Sequence, residues 1–105
     1  MSGTENKYWI SRERYLELKH FCYQYPSWVK NYLLLTNGID IKSLDPTSDR
    51  AISIAEYERV IALVRKTAES CGEGIFEHVT YGAGYSGDWK LVRRFYYILS
   101  VKKGF

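Results

Sequence analysis

The chain has few of the residues that build disulfide frameworks or metal centres. It contains two cysteines, Cys22 and Cys71, and two histidines, His20 and His78. A structural zinc site needs four ligands, usually in closely spaced pairs, and this sequence does not provide them. Cys71 and His78 could meet in space, but no third group marks them as a nucleophilic pair. We therefore predict reduced, buried thiols, no metal or other cofactor, and no enzymatic activity. A bridge between the two cysteines remains the alternative.

A long apolar run is also missing. No segment approaches the ~18 apolar residues that define a transmembrane helix. The first five residues, Met-Ser-Gly-Thr-Glu, do not begin an apolar signal region. These features predict a soluble protein of the cytoplasm. Docking on an anionic membrane surface would need a wide apolar helix face free of the core, which the sequence does not offer, so no membrane partner is expected.

Two prolines and eight glycines interrupt the chain, and between them apolar residues recur at spacings of three and four, which indicates helices. The longest such stretch runs from about residue 46 to residue 71. Asp45 can cap it, Pro46 fits its first position because no donor is needed there, and Gly72 can close it. A helix of this length would be ~39 Å long, so shorter helices must pack against it. Its predicted core face comprises Ile54, Tyr57, Ile61, Val64, Ala68 and Cys71.

Two shorter helices are predicted before this central helix. Ser11 is a suitable N-cap for the first, and Pro26 ends it because the residue before a proline is pushed away from helical angles. Pro26 can equally begin the second helix, which Asn37-Gly38 would end. The predicted apolar faces are Tyr15, Leu18, Cys22 and Tyr25 for the first helix, and Trp28, Tyr32, Leu33 and Leu35 for the second.

Two further helices are predicted after the central one. A helix of about two turns fits between Gly74 and Gly82, where glycines can adopt the left-handed conformation that ends helices. Asp88 is a suitable N-cap for a last helix that continues to about Lys102. The predicted core face of this last helix comprises Leu91, Phe95, Ile98 and Leu99.

A chain of 105 residues is sized for one hydrophobic core. The sequence therefore predicts an all-α fold: a single compact domain over residues 1–105, with four to five helices around the long central helix and residues 1–7 flexible. Ten Tyr, three Trp and four Phe are more rings than so small a core can bury. We expect some of them at the surface, where aromatic side chains commonly contact a partner.

Positive charge is concentrated at the end of the chain. Residues 1–87 carry ten basic and eleven acidic side chains, whereas residues 88–105 carry five basic and one acidic, a net charge of +4. Four residues of the last helix share one face because they are spaced by three or four positions; they are Lys90, Arg93, Arg94 and Tyr97. A concentrated basic patch of this kind attracts polyanions.

The helix dipole separates two interpretations of this basic tail. Lys102 and Lys103 lie near the C-terminus of the last helix, where cations are favourable and a solvated helix face explains them. Lys90, Arg93 and Arg94 lie in its first two turns, where positive charge is unfavourable. We predict that these five cations and Tyr97 contact nucleic acid or an acidic partner. A solvated amphipathic helix is the alternative.

Four segments carry a resemblance to a known group of proteins. They are Tyr8–Cys22 with Gln24–Trp28, Asp45–Thr47, Ile75–Gly82, and the Arg-Arg-aromatic run Arg93–Leu99. In these segments the chain resembles small helical proteins encoded in prophages of Gram-positive bacteria. These proteins are related to late-gene transcription regulators of the ArpU and RinA type, whose C-terminal part resembles the helix-turn-helix of sigma factor region 4.

The resemblance implies a phage regulator that binds DNA inside a host bacterial cell. In the relatives, the turn and the start of the recognition helix lie between the last two helices, and here residues 83–87 replace that segment. This replacement is too short for a complete helix-turn-helix. The alternative is therefore a small phage inhibitor of a host defence machine, of the anti-CRISPR type. It would bind a nuclease or its RNA-loaded complex without catalysis. The expected partners are thus DNA, or a host protein or ribonucleoprotein, and a homodimer is also compatible with the sequence.

Overall fold

A computed structural model describes residues 8–38 and 54–104, and most of these residues are helical. In chain order the helices are α1 Arg12–Tyr23, α2 Tyr25–Thr36, α3 Ile54–Cys71, α4 Ile75–Tyr81 and α5 Trp89–Lys102. Neither described range contains a strand. The predicted all-α fold of four to five helices is confirmed. No helix within these two ranges combines the length and the apolar character that crossing a bilayer requires.

Helix α3 lies at the centre of the packing. With 18 residues it is the longest helix of the described ranges, and it contacts α2, α4 and α5. Residues 46–53, the predicted beginning of this helix, and its predicted cap Asp45 lie outside the described residues. Val64 is fully buried as predicted, whereas Ile61 is only half-buried at the edge of the core. The buried stripe of α3 instead includes Thr67, which neighbouring helices cover.

The boundary between α1 and α2 differs from the prediction. Ser11 caps α1 as expected, because its Oγ accepts a hydrogen bond of 3.1 Å from the Arg14 amide. However, α1 ends at Tyr23, and Tyr25, assigned from the sequence to the first helix, begins α2. A single residue, Gln24, joins the two helices with helical backbone angles. Pro26 is accommodated in the first turn of α2, where its missing amide proton is not needed.

The apolar face of α2 is also rotated relative to the prediction. Leu33 is 52% exposed, whereas Asn31, a polar residue outside the predicted face, is completely buried. Asn31 faces α3 and donates a hydrogen bond of 3.1 Å to the Tyr57 hydroxyl, which is buried as well. This bond satisfies two polar groups inside the core and explains why a polar residue occupies the interface.

The last two helices follow the predicted signals closely. Gly74 and Gly82 flank α4 with φ angles of 81° and 73°, a conformation that glycine adopts without a Cβ clash. Asp88 caps α5, accepting a hydrogen bond of 2.9 Å from the Lys90 amide. Phe95 and Leu99 are buried as predicted.

The core face of α5 is broader than the predicted one. Val92, Tyr96 and Ser100 are buried, whereas Leu91 and Ile98 are only half-buried. The reason is that α5 packs against both α1 and α3, so two neighbouring sides of the helix are covered. Cys22 and Cys71 are both buried in the core and are not joined to each other, so their predicted burial is confirmed.

Candidate functional site

The four residues predicted to share one face of α5 lie along one side of that helix. Lys90, Arg93 and Arg94 are exposed, and Tyr97 is half-buried. The ring of Tyr8 packs edge-on against Tyr97 with 5.5 Å between the ring centroids, and the Arg94 guanidinium carbon lies 5.9 Å from the Tyr8 ring centroid. The segment that precedes α1 therefore runs beside α5 and adds an aromatic ring to its basic side.

Arg93 differs from Arg94 because it lines a groove. The groove has a volume of about 550 Å³ and lies between the segment before α1, the first turns of α1, one residue of α4, and α5. Trp9, Arg12 and Tyr15 line one side, and Trp89, Arg93 and Tyr96 line the other. Among the described residues that line it, none is acidic. The groove is therefore both aromatic and basic.

Trp89 is held in place by a small cluster of rings at one end of the groove. Its indole packs against His78 and Tyr85, with centroid distances of 5.1 Å and 5.2 Å. The Tyr85 hydroxyl donates a hydrogen bond of 3.1 Å to the Asp88 carbonyl, which ties the ring to the start of α5. A Cβ at Gly87 would lie 2.5 Å from that hydroxyl, so glycine is needed there to let Tyr85 approach. The turn between α4 and α5 thus positions Trp89.

The tautomer of His78 follows from its hydrogen bond. Its Nδ1 lies 2.8 Å from the carbonyl oxygen of Ala83. A carbonyl oxygen only accepts hydrogen bonds, so Nδ1 carries a proton and donates. In the neutral ring, Nε2 is consequently an acceptor, and His78 also lines the groove. The histidine therefore offers a hydrogen-bonding edge next to the indole of Trp89.

Two tryptophans leave much of their surface uncovered at this site. Trp9 is 64% exposed and Trp89 is 57% exposed, whereas the third tryptophan, Trp28, is 2% exposed in the core. The prediction that some rings lie at the surface is confirmed. Because an exposed indole forfeits a large hydrophobic gain, the two tryptophans make this groove a candidate contact surface.

The electrostatic environment of the cationic side chains near the groove is partly unfavourable. Arg12 is the first residue of α1 and Lys90 the second residue of α5, and the N-terminal end of a helix carries partial positive charge. Lys90 also lies three and four residues before Arg93 and Arg94, spacings at which like charges on a helix repel. In the isolated protein, the helix dipole and the two arginines therefore disfavour a cation at Lys90, and the Asp88 carboxylate that caps α5 offsets this in part.

Lys102 and Lys103 lie apart from this group. Lys102 is the last residue of α5 and is exposed, ~18 Å along the helix axis from Lys90 at 1.5 Å per residue. The Lys103 ammonium lies 3.7 Å from the ring centroid of Phe21 in α1. Burial there, together with nearby Arg59, lowers the pKa of Lys103. Lys103 thus packs against α1, at the far end of α5 from the groove.

Sequence reasoning missed the groove and three of the residues that form it: Trp9, Arg12 and Trp89. Their positions in the chain show no shared spacing, and the contact between α1 and α5 brings them together. The surplus of aromatic residues was the one sequence signal that pointed to such a surface.

The described residues contain no group of three potential metal ligands. Comparison of the chain with protein-family models, curated proteins and solved structures finds no match.

Proposed function

We propose that this protein is a nucleic-acid-binding regulator that contacts phosphates through the basic side of α5. The observation that carries the proposal is the crowding of three exposed cations, Lys90, Arg93 and Arg94, into the first half of that helix. A cation in the first turn of a helix is unfavourable by ~0.3–1 kcal/mol, and each like-charge pair at these spacings by ~0.2–0.5 kcal/mol. A bound phosphate would turn both effects into attraction.

The aromatic residues on the same side suit such a ligand. Tyr97 and Tyr8 form a ring pair next to Arg94, and aromatic rings interleaved with arginines stack on bases as well as contact phosphates. Lys102 would extend the contact towards the end of α5. Lys103 is a weaker contributor because its ammonium already packs on Phe21. The resemblance to prophage regulators of the ArpU and RinA type supports the same function, in the cytoplasm of a host bacterium.

The test is a binding titration with the double variant Arg93→Glu, Arg94→Glu. Fluorescence anisotropy of labelled nucleic acid, both duplex and single-stranded, would be measured over a range of salt concentrations. Each lost phosphate contact removes released counterions, so binding should become undetectable or the salt slope should flatten by about two. Far-ultraviolet circular dichroism should stay unchanged because both side chains are exposed.

The matched control is the double variant Lys30→Glu, Lys66→Glu. It makes the same change of net charge on exposed positions of α2 and α3 that neither belong to α5 nor line the groove. This control should retain most of the binding. Equal losses in the two double variants would mean that net charge alone drives binding, and full binding by the folded Arg93→Glu, Arg94→Glu protein would refute the proposal.

A second candidate function is inhibition of a host nuclease or its RNA-loaded complex. Exposed tryptophans also favour a protein partner, since Trp is enriched among the residues that dominate protein interfaces, and Trp9 and Trp89 are 64% and 57% exposed. A pull-down from host lysate, with and without nuclease treatment, separates the two functions. An inhibitor should retain one partner after nuclease digestion and bind little free nucleic acid, whereas a regulator should bind purified nucleic acid without a protein partner. For a regulator that recognises duplex DNA, a specific site should exceed random DNA by at least ~10³.

A further inference from the structure

We infer that the groove between α1 and α5 holds an unpaired nucleobase together with its phosphate, so that the preferred ligand is single-stranded DNA or RNA. This inference deepens the proposed function and rests on it. It concerns Trp9, Arg12, His78, Trp89 and Arg93, of which only Arg93 belongs to the basic side of α5 described above.

The size and lining of the groove fit a nucleotide. Its volume of about 550 Å³ lies within the ~300–1,000 Å³ of small-ligand sites. Trp9 and Trp89 line it and keep more than half of their surface exposed. Stacking of a base on an aromatic side chain contributes ~1–3 kcal/mol per base and tolerates any base, since every base has a π-face.

Charge selects an anionic aromatic ligand over a cationic one. Groups of aromatic rings often bind methylated ammonium groups, but here Arg12 and Arg93 line the same groove and would repel a cation. Arg12, the first residue of α1, lies at the groove, so the partial positive charge of this helix end adds to the two guanidiniums. The carboxylate of Asp88 accepts a hydrogen bond from the Lys90 amide and offsets the partial positive charge of the α5 end, but Asp88 does not line the groove.

The shape of the groove favours an unpaired base. In a duplex, the π-faces of the bases are covered by their neighbours, and proteins read the base edges with a helix or ribbon inserted into the major groove. A concave surface lined by indoles cannot reach those faces unless a base leaves the stack. In addition, Nε2 of neutral His78 can accept a hydrogen bond from a base amino group, because Nδ1 is committed to the Ala83 carbonyl.

Intrinsic tryptophan fluorescence provides the test. The protein would be titrated with single-stranded DNA, single-stranded RNA and duplex DNA of the same sequence. Stacking quenches an indole, so single strands should quench Trp9 and Trp89, and should do so at lower concentrations than the duplex. Trp9→Phe and Trp89→Phe should each remove part of the quenching. Trp28→Phe is the control: it removes an indole that the ligand cannot reach, since Trp28 is 2% exposed, so the absolute loss of emission on binding should stay the same.

Affinity measurements on a second pair of variants separate stacking from mere proximity. Trp89→Phe keeps an aromatic face and should retain most of the affinity for single strands. Trp89→Leu removes that face and should weaken binding roughly 5- to 150-fold, the range that corresponds to one stacked base. Both variants should fold normally because Trp89 is 57% exposed. Equal affinities of the Phe and Leu variants would overturn the inference.

The outcomes distinguish this inference from the proposed function. If duplex and single strands bind equally without quenching, while Arg93→Glu, Arg94→Glu still abolishes binding, the base site is refuted and phosphate binding by α5 stands. If no nucleic acid binds, both proposals fail. Preferential quenching by the DNA or by the RNA strand would identify the source of the base.

Discussion

The charge reversal Lys90→Glu should stabilise the folded protein and weaken nucleic-acid binding at the same time. Lys90 is the second residue of α5, and its amide is bonded to the Asp88 cap. It is exposed and lies on the same side of α5 as Arg93 and Arg94. In the absence of a ligand, the helix dipole and the two neighbouring arginines therefore oppose a cation at this position, and the Asp88 carboxylate offsets this opposition in part.

The expected gain can be worked out from these contacts. Reversal replaces an unfavourable dipole interaction of ~0.3–1 kcal/mol by a favourable one of similar size. It also turns two repulsive pairs of ~0.2–0.5 kcal/mol each into attractive ones. The lower ends apply because the side chain is solvated, and the Asp88 carboxylate at the start of α5 repels the new Glu side chain and offsets part of the gain. The free energy of unfolding should therefore rise by about 1 kcal/mol at low salt. The neutral change Lys90→Gln should give about half of this gain.

The assay is urea denaturation followed by circular dichroism, at low salt and at about 1 M salt, where the Debye length falls to about 3 Å and the gain should shrink. In thermal denaturation the variants should show the same order of stability, and Tm should rise by about 4–8 °C for each kcal/mol gained in a domain of this size. In parallel, the salt slope of nucleic-acid binding should flatten by about one. The control Lys66→Glu lies mid-helix in α3, three residues before Glu69, and should be neutral or slightly destabilising.

The result that would refute this reasoning is a folded Lys90→Glu protein that is no more stable than the wild type at low salt. The cations of α5 would then meet no electrostatic opposition, and the argument for an anionic ligand would lose its basis. Increased stability with unchanged nucleic-acid binding would instead remove Lys90 from the proposed interface.

Two further predictions concern the core. Val64→Asp should leave the chain unfolded by circular dichroism because Val64 is completely buried and the new charge has no partner. Ile61→Asp should lower the free energy of unfolding by less, because Ile61 is only half-buried. The reverse order would contradict the assignment of Val64 to the buried face of α3. Burial raises the pKa of the Cys22 thiol to about 12 from a usual 9.0. Below pH 9 the thiol is protonated in the folded and the unfolded chain, whereas at higher pH the unfolded chain loses the proton first. The free energy of unfolding should therefore fall by about 1.4 kcal/mol per pH unit above pH 9 from this residue alone, until the folded thiol also ionises. Cys22→Ala should remove that part of the slope in alkaline denaturation experiments, and an identical slope in the variant would contradict the assignment.

The sequence by itself predicted the helices because their signals are local. Ser11 and Asp88 act as caps within three residues of the amides they bind, and Gly74 and Gly82 flank α4 through their own backbone angles. Local signals did not determine a helix boundary where two boundaries were compatible with the sequence. The stretch around Gln24 is compatible with either helix, and packing decided that α1 ends before it.

The burial of a side chain depends on which helices surround its face. The sequence predicted burial only in part. Periodicity predicted that Val64 and Phe95 are buried, because an amphipathic stripe is a property of one helix. It did not predict that Leu33 is exposed or that Asn31 is buried, since these outcomes depend on α3 lying against α2 and offering the Tyr57 hydroxyl as a partner.

The candidate site divides in the same way. The basic side of α5 was predictable, because Lys90, Arg93, Arg94 and Tyr97 lie within eight consecutive residues and follow the helical repeat. The groove was not predictable, because Trp9 and Trp89 are far apart in the chain and carry no common pattern. Only the packing of α1 against α5 places both indoles and two arginines around one volume. The sequence determined which side of α5 carries the positive charge. The tertiary structure decided which distant aromatic rings lie beside that charge, because the contacts between helices are not encoded in any local spacing.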